Sequence, residues 1–329
     1  MGGGSWDSGA YRSAAKSRAM SGTPDFEYDS RVKSGAASGV HESLDPKKMV
    51  NNMRESRDSD EHPESLPIAI IFDVTGSMGG IPRVLQKKLE SLMDVVREKA
   101  QIPHPQILVG AVGDAYTDQC PFQIGQFESD NRFDEQLRNI ILEGNGGGQM
   151  KESYALAYRF AAYHTVSDSF EKRGHKGIIF TMGDEAPYAS VTASEVERIF
   201  GVKPEEDETV ESLLAKALEK WEVFHLFAVG GSYDRATDIH DRWRTLLNER
   251  FVMVSDPNLV CEVIAGLVLS IETSKSVDAV IADIGLSGAD AATVKNALVP
   301  VVNSRVPAQM ASGKMPGGHG SATGTLDKV

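Results

Sequence analysis

Residues 68–78 read IAIIFDVTGSM, and this stretch predicts both a central strand and a polar site at its end. The first five residues are apolar, mostly β-branched or aromatic, with no polar residue between them. Such a run is typical of a strand that is buried on both faces of a sheet. The run stops at Asp73, Thr75 and Ser77, and an amphipathic helical pattern begins after a short turn. A strand, a polar loop and a helix in this order place ligand-binding groups at the carboxyl end of a parallel sheet.

The three polar side chains after this strand carry hard oxygen atoms. Asp73 offers a carboxylate, and Thr75 and Ser77 offer hydroxyl groups. This set suits Mg²⁺, which binds few protein oxygens and retains water. The simpler alternative is that the hydroxyls cap the helix that follows, since Ser and Thr are common at helix N-termini.

Strand and helix patterns alternate along the next 200 or so residues. Buried-strand patterns occur at 106–112, 177–182, 223–229 and 251–254, and residues 122–127 alternate as an exposed edge strand does. Helical patterns lie between most of these strands. The order predicts an α/β fold with an open, mostly parallel sheet covered on both faces.

The DxTxS pattern of Asp73, Thr75 and Ser77, at the end of a hydrophobic strand, resembles the metal-ion-dependent adhesion site (MIDAS) of von Willebrand factor type A (VWA) domains. The resemblance covers residues 67–272, and the MGGGSWD start and DVTGSM motif are most similar to bacterial and bacteriophage members. It implies a Rossmann-like, doubly wound sheet of six strands, with the strand at 122–127 as the antiparallel edge. It also implies a cation, Mg²⁺ or else Mn²⁺ or Ca²⁺, held by three loops.

The resemblance places a further carboxylate ligand in the third of these loops. An Asp is expected just after the core strand, and Asp184 follows the strand at 177–182. The order Gly183-Asp184 differs from the usual Thr-Asp-Gly, so Glu185 is the alternative ligand. Asp114, at the end of the strand at 106–112, is expected to support the ligands from the same edge of the sheet.

The second loop departs most from the family pattern, because it lacks the expected Thr. Its glycine run ends at Gly148, and the oxygen-bearing residues that follow are Gln149, Glu152 and Ser153. We expect Ser153 to replace the Thr as a ligand and Glu152 to lie beside the metal shell. Gln149 remains a third candidate.

The composition limits the classes of function. A net charge of −13 and a pI near 5.1 disfavour binding to nucleic acid or to an anionic membrane. We expect no membrane span, because no apolar run reaches about 18 residues, and no signal sequence, because the N-terminus shows no basic stretch followed by an apolar one. Cys120 and Cys261 show no disulfide pattern, which indicates a reducing compartment such as the cytoplasm.

The chain is expected to hold one main domain between polar ends. We predict a largely disordered or extended arm at 1–66, the VWA domain at 67–272, a helical extension at 273–311 and a disordered tail at 312–329. The ends are rich in Gly, Ser and charge, and show no sustained period of 3.6 or 2 residues.

The expected function is a divalent-metal-dependent protein-interaction module. A Glu or Asp carboxylate of a protein partner would complete the metal shell. One alternative is a structural or assembly protein of a phage particle or another large complex, with the polar arm making the contacts and the virion as its location. A metal-dependent hydrolase is the second alternative, which we disfavour because no residue is placed as a catalytic base or nucleophile.

Overall fold

A computed structural model describes residues 4–78, 80–100, 102, 104–144, 150–230 and 233–312, without the side chains of residues 77 and 306–312. Gln149 and the glycines at 146–148 lie outside the described residues, as does the predicted tail from residue 313 onward.

The strands fall into one large sheet and several two-stranded pairs. Their bounds are β1 (Arg54–Ser56), β2 (Ser65–Asp73), β3 (His104–Val112), β4 (Phe122–Ile124), β5 (Lys151–Glu152), β6 (Thr165–Ser167), β7 (Gly177–Gly183), β8 (Ala186–Pro187), β9 (Ser190–Val191), β10 (Glu208–Thr209), β11 (Trp221–Ala228) and β12 (Phe251–Val254).

The large sheet has six strands in the order β12-β11-β7-β2-β3-β4. Neighbouring strands are parallel except β4, which pairs antiparallel to β3 at the edge. Every residue of β2 is buried, as its uninterrupted apolar run predicts. The α/β fold, the six-stranded and mostly parallel sheet and the antiparallel edge are therefore confirmed.

Helices cover both faces of the sheet. Their bounds are α1 (Ser8–Ser21), α2 (Glu27–Lys33), α3 (Ile81–Glu98), α4 (Arg132–Arg138), α5 (Ala155–Tyr163), α6 (Asp168–Arg173), α7 (Ala193–Phe200), α8 (Val210–Lys220), α9 (Thr237–Leu247), α10 (Val260–Thr273), α11 (Val277–Ile284) and α12 (Gly288–Ser312), with short 3₁₀ turns at Pro46–Lys48, Val50–Asn52, Gly76–Met78, Asn248–Arg250 and Pro257–Leu259.

Alternate residues of β2 join two separate cores. Ile70 and Phe72 pack in the core that contains α3 and α10, whereas Ala69 and Ile71 pack in the core that contains α5, α8 and α9. This division follows from the two-residue period of a strand, which turns successive side chains to opposite faces. Within the part of the chain that is described, no helix is both long and apolar enough to span a membrane.

The C-terminal helices α11 and α12 extend the layer that contains α10. Val280 and Leu298 are fully buried in the same core as α10. A Cβ atom on Gly266 of α10 would lie 2.7 Å from a methyl group of Leu298, so α12 packs closely against this glycine.

The N-terminal arm is where the structure departs from the sequence expectation. Residues 8–21 and 27–33 form α1 and α2, and Trp6, Tyr11 and Phe26 are buried in the main core. The ring of Trp6 lies 5.2 Å from that of Phe133 in α4. The hydroxyl of Tyr11 donates a 2.7 Å hydrogen bond to the carbonyl of Gln86 in α3. The polar composition of the arm did not predict this ordered structure, because only a few isolated aromatic residues anchor the arm on the domain.

The anchoring of the arm can be measured with one buried and one exposed residue. Replacing Trp6, which is 4% exposed, by Ala is expected to lower the free energy of unfolding by about 3 kcal/mol, because a large buried ring is lost. Met20 of α1 is 80% exposed, and Met20→Ala is expected to change the free energy by less than about 0.5 kcal/mol. Urea denaturation measures both variants. Equal effects of the two substitutions would contradict the packing of the arm.

Candidate functional site

Six buried carboxyl groups gather in the loops at the carboxyl edge of the sheet, and we call them the carboxylate cluster. They end β2, follow β3 and β7, or belong to β5, which precedes α5. Each of these residues is at most 7% exposed. The members are Asp73, Asp114, Asp118, Glu152, Asp184 and Glu185.

Asp73 ends β2 and is held by hydrogen bonds at both carboxylate oxygens. Its Oδ1 accepts from the backbone N–H of Thr75 at 2.7 Å and from the Thr75 hydroxyl at 2.6 Å. Its Oδ2 accepts from the hydroxyl of Tyr154 at 2.9 Å. The carboxylate of Asp73 and the hydroxyl of Thr75, which the sequence predicts as ligands, are therefore in direct contact.

Tyr154 reaches Asp73 because β7 ends in a glycine. A Cβ atom on Gly183 would lie 1.6 Å from the Tyr154 hydroxyl, so a larger residue would displace the ring. The ring also contacts Trp243 and His225 edge-on, at centroid distances of 5.4 and 5.0 Å. Packing thus fixes the ring of Tyr154, and its hydroxyl group points at the carboxylate of Asp73.

Glu152 and Ser153 follow one another, yet they contact different groups. Glu152 is 1% exposed, and its Oε1 accepts from the N–H of Ser153 at 2.9 Å. The Ser153 hydroxyl oxygen accepts from the N–H of Ala115 at 2.9 Å, which ties this segment to the loop after β3. The parallel pairing of β5 with β8 sets the position of Glu152, which lies opposite Pro187.

Asp114 organises the loop after β3. Its carboxylate accepts from the N–H of Tyr116 at 2.8 Å and from the hydroxyl of Tyr188 at 3.3 Å. Asp118 accepts from the backbone N–H of Asp114 at 2.8 Å. Asp114 therefore lies on the expected sheet edge, where it holds the loop together.

The electrostatics of the cluster are those of buried acids that repel one another. Burial, with a smaller contribution from the charge of Asp184, raises the pKa of Asp73 to about 7 against the hydrogen bonds from Thr75 and Tyr154. Burial, followed by the charge of Asp73, raises the pKa of Glu152 to about 10. Burial, followed by the same charge, raises the pKa of Glu185 to about 7. The main charged groups acting on these three acids are other carboxylates, so protons or a cation must offset the charge.

The structure brings most of the predicted ligands to one place. Asp73, Thr75, Glu152, Ser153 and Asp184 are all buried at this edge. The backbone of Ser77 lies in the 3₁₀ turn Gly76–Met78, but its side chain, like the whole of Gln149, lies outside the described residues.

The donor set is one of hard oxygens. Among the described residues, no group of three or more His, Cys, Asp or Glu side chains is arranged to hold a metal ion by itself. The ligand set predicted from the sequence is not such a group, because it combines only two carboxylates with hydroxyl oxygens. Hydroxyls, carboxylates and water are the oxygen ligands that Mg²⁺ binds.

Sequence reasoning missed two members of this site. Tyr154 directly follows the second loop, where its sequence context indicates only the start of an apolar helix. Asp118 lies in an irregular loop with no periodic pattern. Their roles depend on contacts with residues far along the chain, and no local signal in the sequence marks such contacts.

The comparisons with known proteins give no family. No protein-family model matches this sequence, and no curated protein matches it. Similar solved structures include the open conformation of the pilus adhesin SpaC from Lactobacillus rhamnosus GG, with 9% identity, a TM-score of 0.46 and coverage of 67% of this chain and 31% of the adhesin. Proximal thread matrix protein 1 from the mussel byssus has 12% identity and a TM-score of 0.40, with 63% and 46% covered. The chain spans less than half of either, and TM-scores below 0.5 carry no argument about function.

The raised pKa of Asp73 predicts a pH-dependent stability in the absence of metal. An unfolded Asp releases its proton near pH 4, whereas folded Asp73 keeps it until about pH 7, so stability is lost as the pH rises through this window. Between pH 5 and 8 in EDTA, the wild-type chain is expected to lose about 2 kcal/mol relative to Asp73→Asn, whose side chain does not titrate. Urea denaturation at several pH values measures the difference, and parallel profiles would contradict it.

Proposed function

We propose that this chain is a VWA-type domain that binds a divalent cation at a MIDAS-like site and uses it to hold an acidic group of a protein partner. The observation that carries the proposal is the buried Asp73–Thr75 pair at the carboxyl end of the central strand, within reach of the charge of Asp184. A scaffold role through a free N-terminal arm is less well supported, because residues 8–33 are packed on the domain.

A divalent cation would offset the repulsion between the buried acids. Asp73, Glu152 and Glu185 hold raised pKa values because they are buried beside like charges. An ion of charge +2 would lower these pKa values, as a nearby positive charge does for any carboxylate. The proposal thus accounts for a cluster that costs folding energy without a counter-charge.

The proposed ligands come from three loops. Thr75 and Ser77 would contribute hydroxyl oxygens and Asp184 a carboxylate. Asp73 would act through a metal-bound water, because both of its oxygens already accept hydrogen bonds from protein donors. When bound, the ion supplies positive charge to an incoming oxygen, which is the chemistry the partner needs.

The second loop decides whether the site attracts or repels an acid. Two ionised carboxylates, Asp73 and Asp184, would cancel the charge of the ion. A third, ionised Glu152, would make the site negative and repel a partner carboxylate. Of the three acids with raised pKa values, Glu152 has the highest, at about 10, and is therefore the last to lose its proton when an ion binds. We therefore propose Ser153 as the ligand and Glu152 as a neutral neighbour.

The cation itself is tested by removing the first carboxylate. Asp73→Asn preserves the shape of the side chain and is expected to abolish the binding of Mg²⁺ and Mn²⁺, measured by calorimetry. Mg²⁺ at about 100 times its dissociation constant is expected to stabilise the wild type by about 2.7 kcal/mol and the variant by nothing. Asp278→Asn is the control, because Asp278 is exposed and pairs with Lys295 in α12. Equal Mg²⁺ affinity in Asp73→Asn and wild type would disprove the metal assignment.

The role of Glu152 is tested with acetate as a model of the partner's acid. At saturating Mg²⁺, Glu152→Gln and wild type are expected to bind acetate with affinities within about twofold, because a neutral Glu152 resembles Gln. Competition calorimetry or NMR titration measures this affinity. A gain of about tenfold or more in the variant would show that ionised Glu152 caps the metal, contrary to our assignment.

A further inference from the structure

Two histidines that the proposed function does not use hold the start of the N-terminal arm. The Nε2 atom of His62 lies 2.9 Å from the carbonyl oxygen of Gly4. On the other side of the same ring, Nδ1 lies 3.1 Å from Nδ1 of His104, the first residue of β3. His62 is 4% exposed, and the two rings meet edge-on at a centroid distance of 5.2 Å. The pair thus connects the central sheet to the arm.

The arm fits closely where His62 contacts it. The hydroxyl of Ser129 donates to the same Gly4 carbonyl at 3.1 Å. A Cβ atom on Gly4 would lie 2.7 Å from Oδ2 of Asp130. Three residues further on, the N–H of Asp7 donates to Oδ1 of Asn131 at 2.8 Å. Residues 4–7 are therefore docked on the loop before α4.

The contacts of the pair determine where its protons lie. Because a carbonyl oxygen only accepts, Nε2 of His62 carries a hydrogen. In a neutral His62 the Nδ1 atom is then an acceptor, so Nδ1 of His104 donates to it. One added proton preserves this contact, because a charged imidazole still donates to a neutral one. A second added proton places a hydrogen on both facing nitrogens, and the contact is lost.

The carboxylates around the pair are already engaged with cationic side chains. Asp58 bonds Arg173, and Asp130 bonds Arg132. Glu64 is exposed, so water screens its charge. The loop that carries His62 holds the charged residues Arg57, Asp58, Asp60, Glu61 and Glu64, the loop around Ser129 holds Glu128, Asp130 and Arg132, and Arg97 of α3 donates to the carbonyl of Trp6.

These surroundings oppose a second charge on the pair. Burial, followed by the charge of His62, lowers the pKa of His104 against the smaller effects of Glu64 and Asp58. If the ring of His104 turned toward water instead, the Nδ1–H of a charged and buried His62 would lose its acceptor. A buried charge without a hydrogen-bond partner is costly. Either way, double protonation favours movement of His62 out of its buried position.

We propose that the pair of His62 and His104 is an acid-sensitive latch on the N-terminal arm. With at most one of the two imidazoles charged, His62 holds Gly4 on the domain. With both charged, the loop that carries His62 moves toward water, and residues 4–7 detach from the loop before α4. This inference is independent of the proposed cation and its partner.

The sign of the pH dependence follows from proton uptake. Opening of the latch takes up one proton below about pH 6.5, the ordinary pKa of histidine, so the opening constant is expected to rise about tenfold per pH unit. The hold on the arm is therefore complete above this pH and is lost as the pH falls. In EDTA the stability of the whole domain is expected to change in the opposite direction, because the raised pKa of Asp73 favours the folded state in acid.

The latch is tested by amide hydrogen exchange on the full-length chain in EDTA, followed by NMR. The reporter is the Asp7 amide, whose acceptor Asn131 lies in the docking loop. After correction for the intrinsic exchange rate, its protection factor is expected to fall about tenfold between pH 7.5 and 5.5. Amides of the central strand β2 serve as the reference, and their protection is expected not to fall.

Two variants separate the latch from other effects of acid. His104→Asn gives His62 an amide that both donates and accepts, so it is expected to keep the arm docked and to reduce the pH effect to less than about twofold. His62→Phe removes the donor to Gly4 and is expected to give low, pH-independent protection of Asp7. His175→Asn is the matched control, because His175 is an exposed histidine that pairs with Glu272. It is expected to retain the wild-type profile.

Each remaining outcome counts against the latch. A constant protection factor of Asp7 in the wild type, or an unchanged pH effect in His104→Asn, would overturn it. The same holds if His62→Phe protects Asp7 as well as the wild type at pH 7.5. A fall in the protection of β2 equal to that of Asp7 would show global unfolding instead of local release of the arm. Urea denaturation of each variant at pH 7.5 verifies that the domain is folded.

Discussion

Repulsion between buried acids is the constraint on which the structure of this edge depends. Asp73 and Asp184 are fully buried, and the charge of Asp184 contributes to the raised pKa of Asp73. Hydrogen bonds from Thr75 and Tyr154 offset part of the cost. They stabilise one carboxylate, whereas Glu152 and Glu185 remain in an environment that favours protonation. The edge is thus suited to a bound positive charge.

The topology of the sheet creates this constraint. Because β2, β3 and β7 are parallel neighbours, their carboxyl ends coincide, and the acids that follow them meet. Small residues let the loops approach one another closely. A Cβ atom on Gly76 would lie 3.0 Å from the carbonyl oxygen of Gly144, and Gly183 admits the ring of Tyr154. Close approach of the backbone, rather than any single ligand, sets the spacing of the site.

Hydrophobic burial at some distance from the site holds the framework in place. Trp6 and Phe133 join the arm to α4, and Leu298 packs over Gly266 to join α12 to α10. These contacts add surface to the core that contains Phe72, whose neighbour in sequence is Asp73. The strand that presents the first carboxylate is therefore held by packing on the face that Phe72 occupies.

The sequence alone determined the central strand, the alternation of strands and helices and the carboxylate-hydroxyl motif, because each depends on residues that are near one another in the chain. Local patterns could not reveal that Trp6 and Tyr11 anchor the arm, since their partners lie about 75 or more residues away. Likewise, Tyr154 follows Ser153 directly, yet only the pairing of β2 with β7 and the absence of a side chain at Gly183 bring its hydroxyl to Asp73. Tertiary structure decided these points because burial and charge repulsion act between residues that the chain brings together only when it folds.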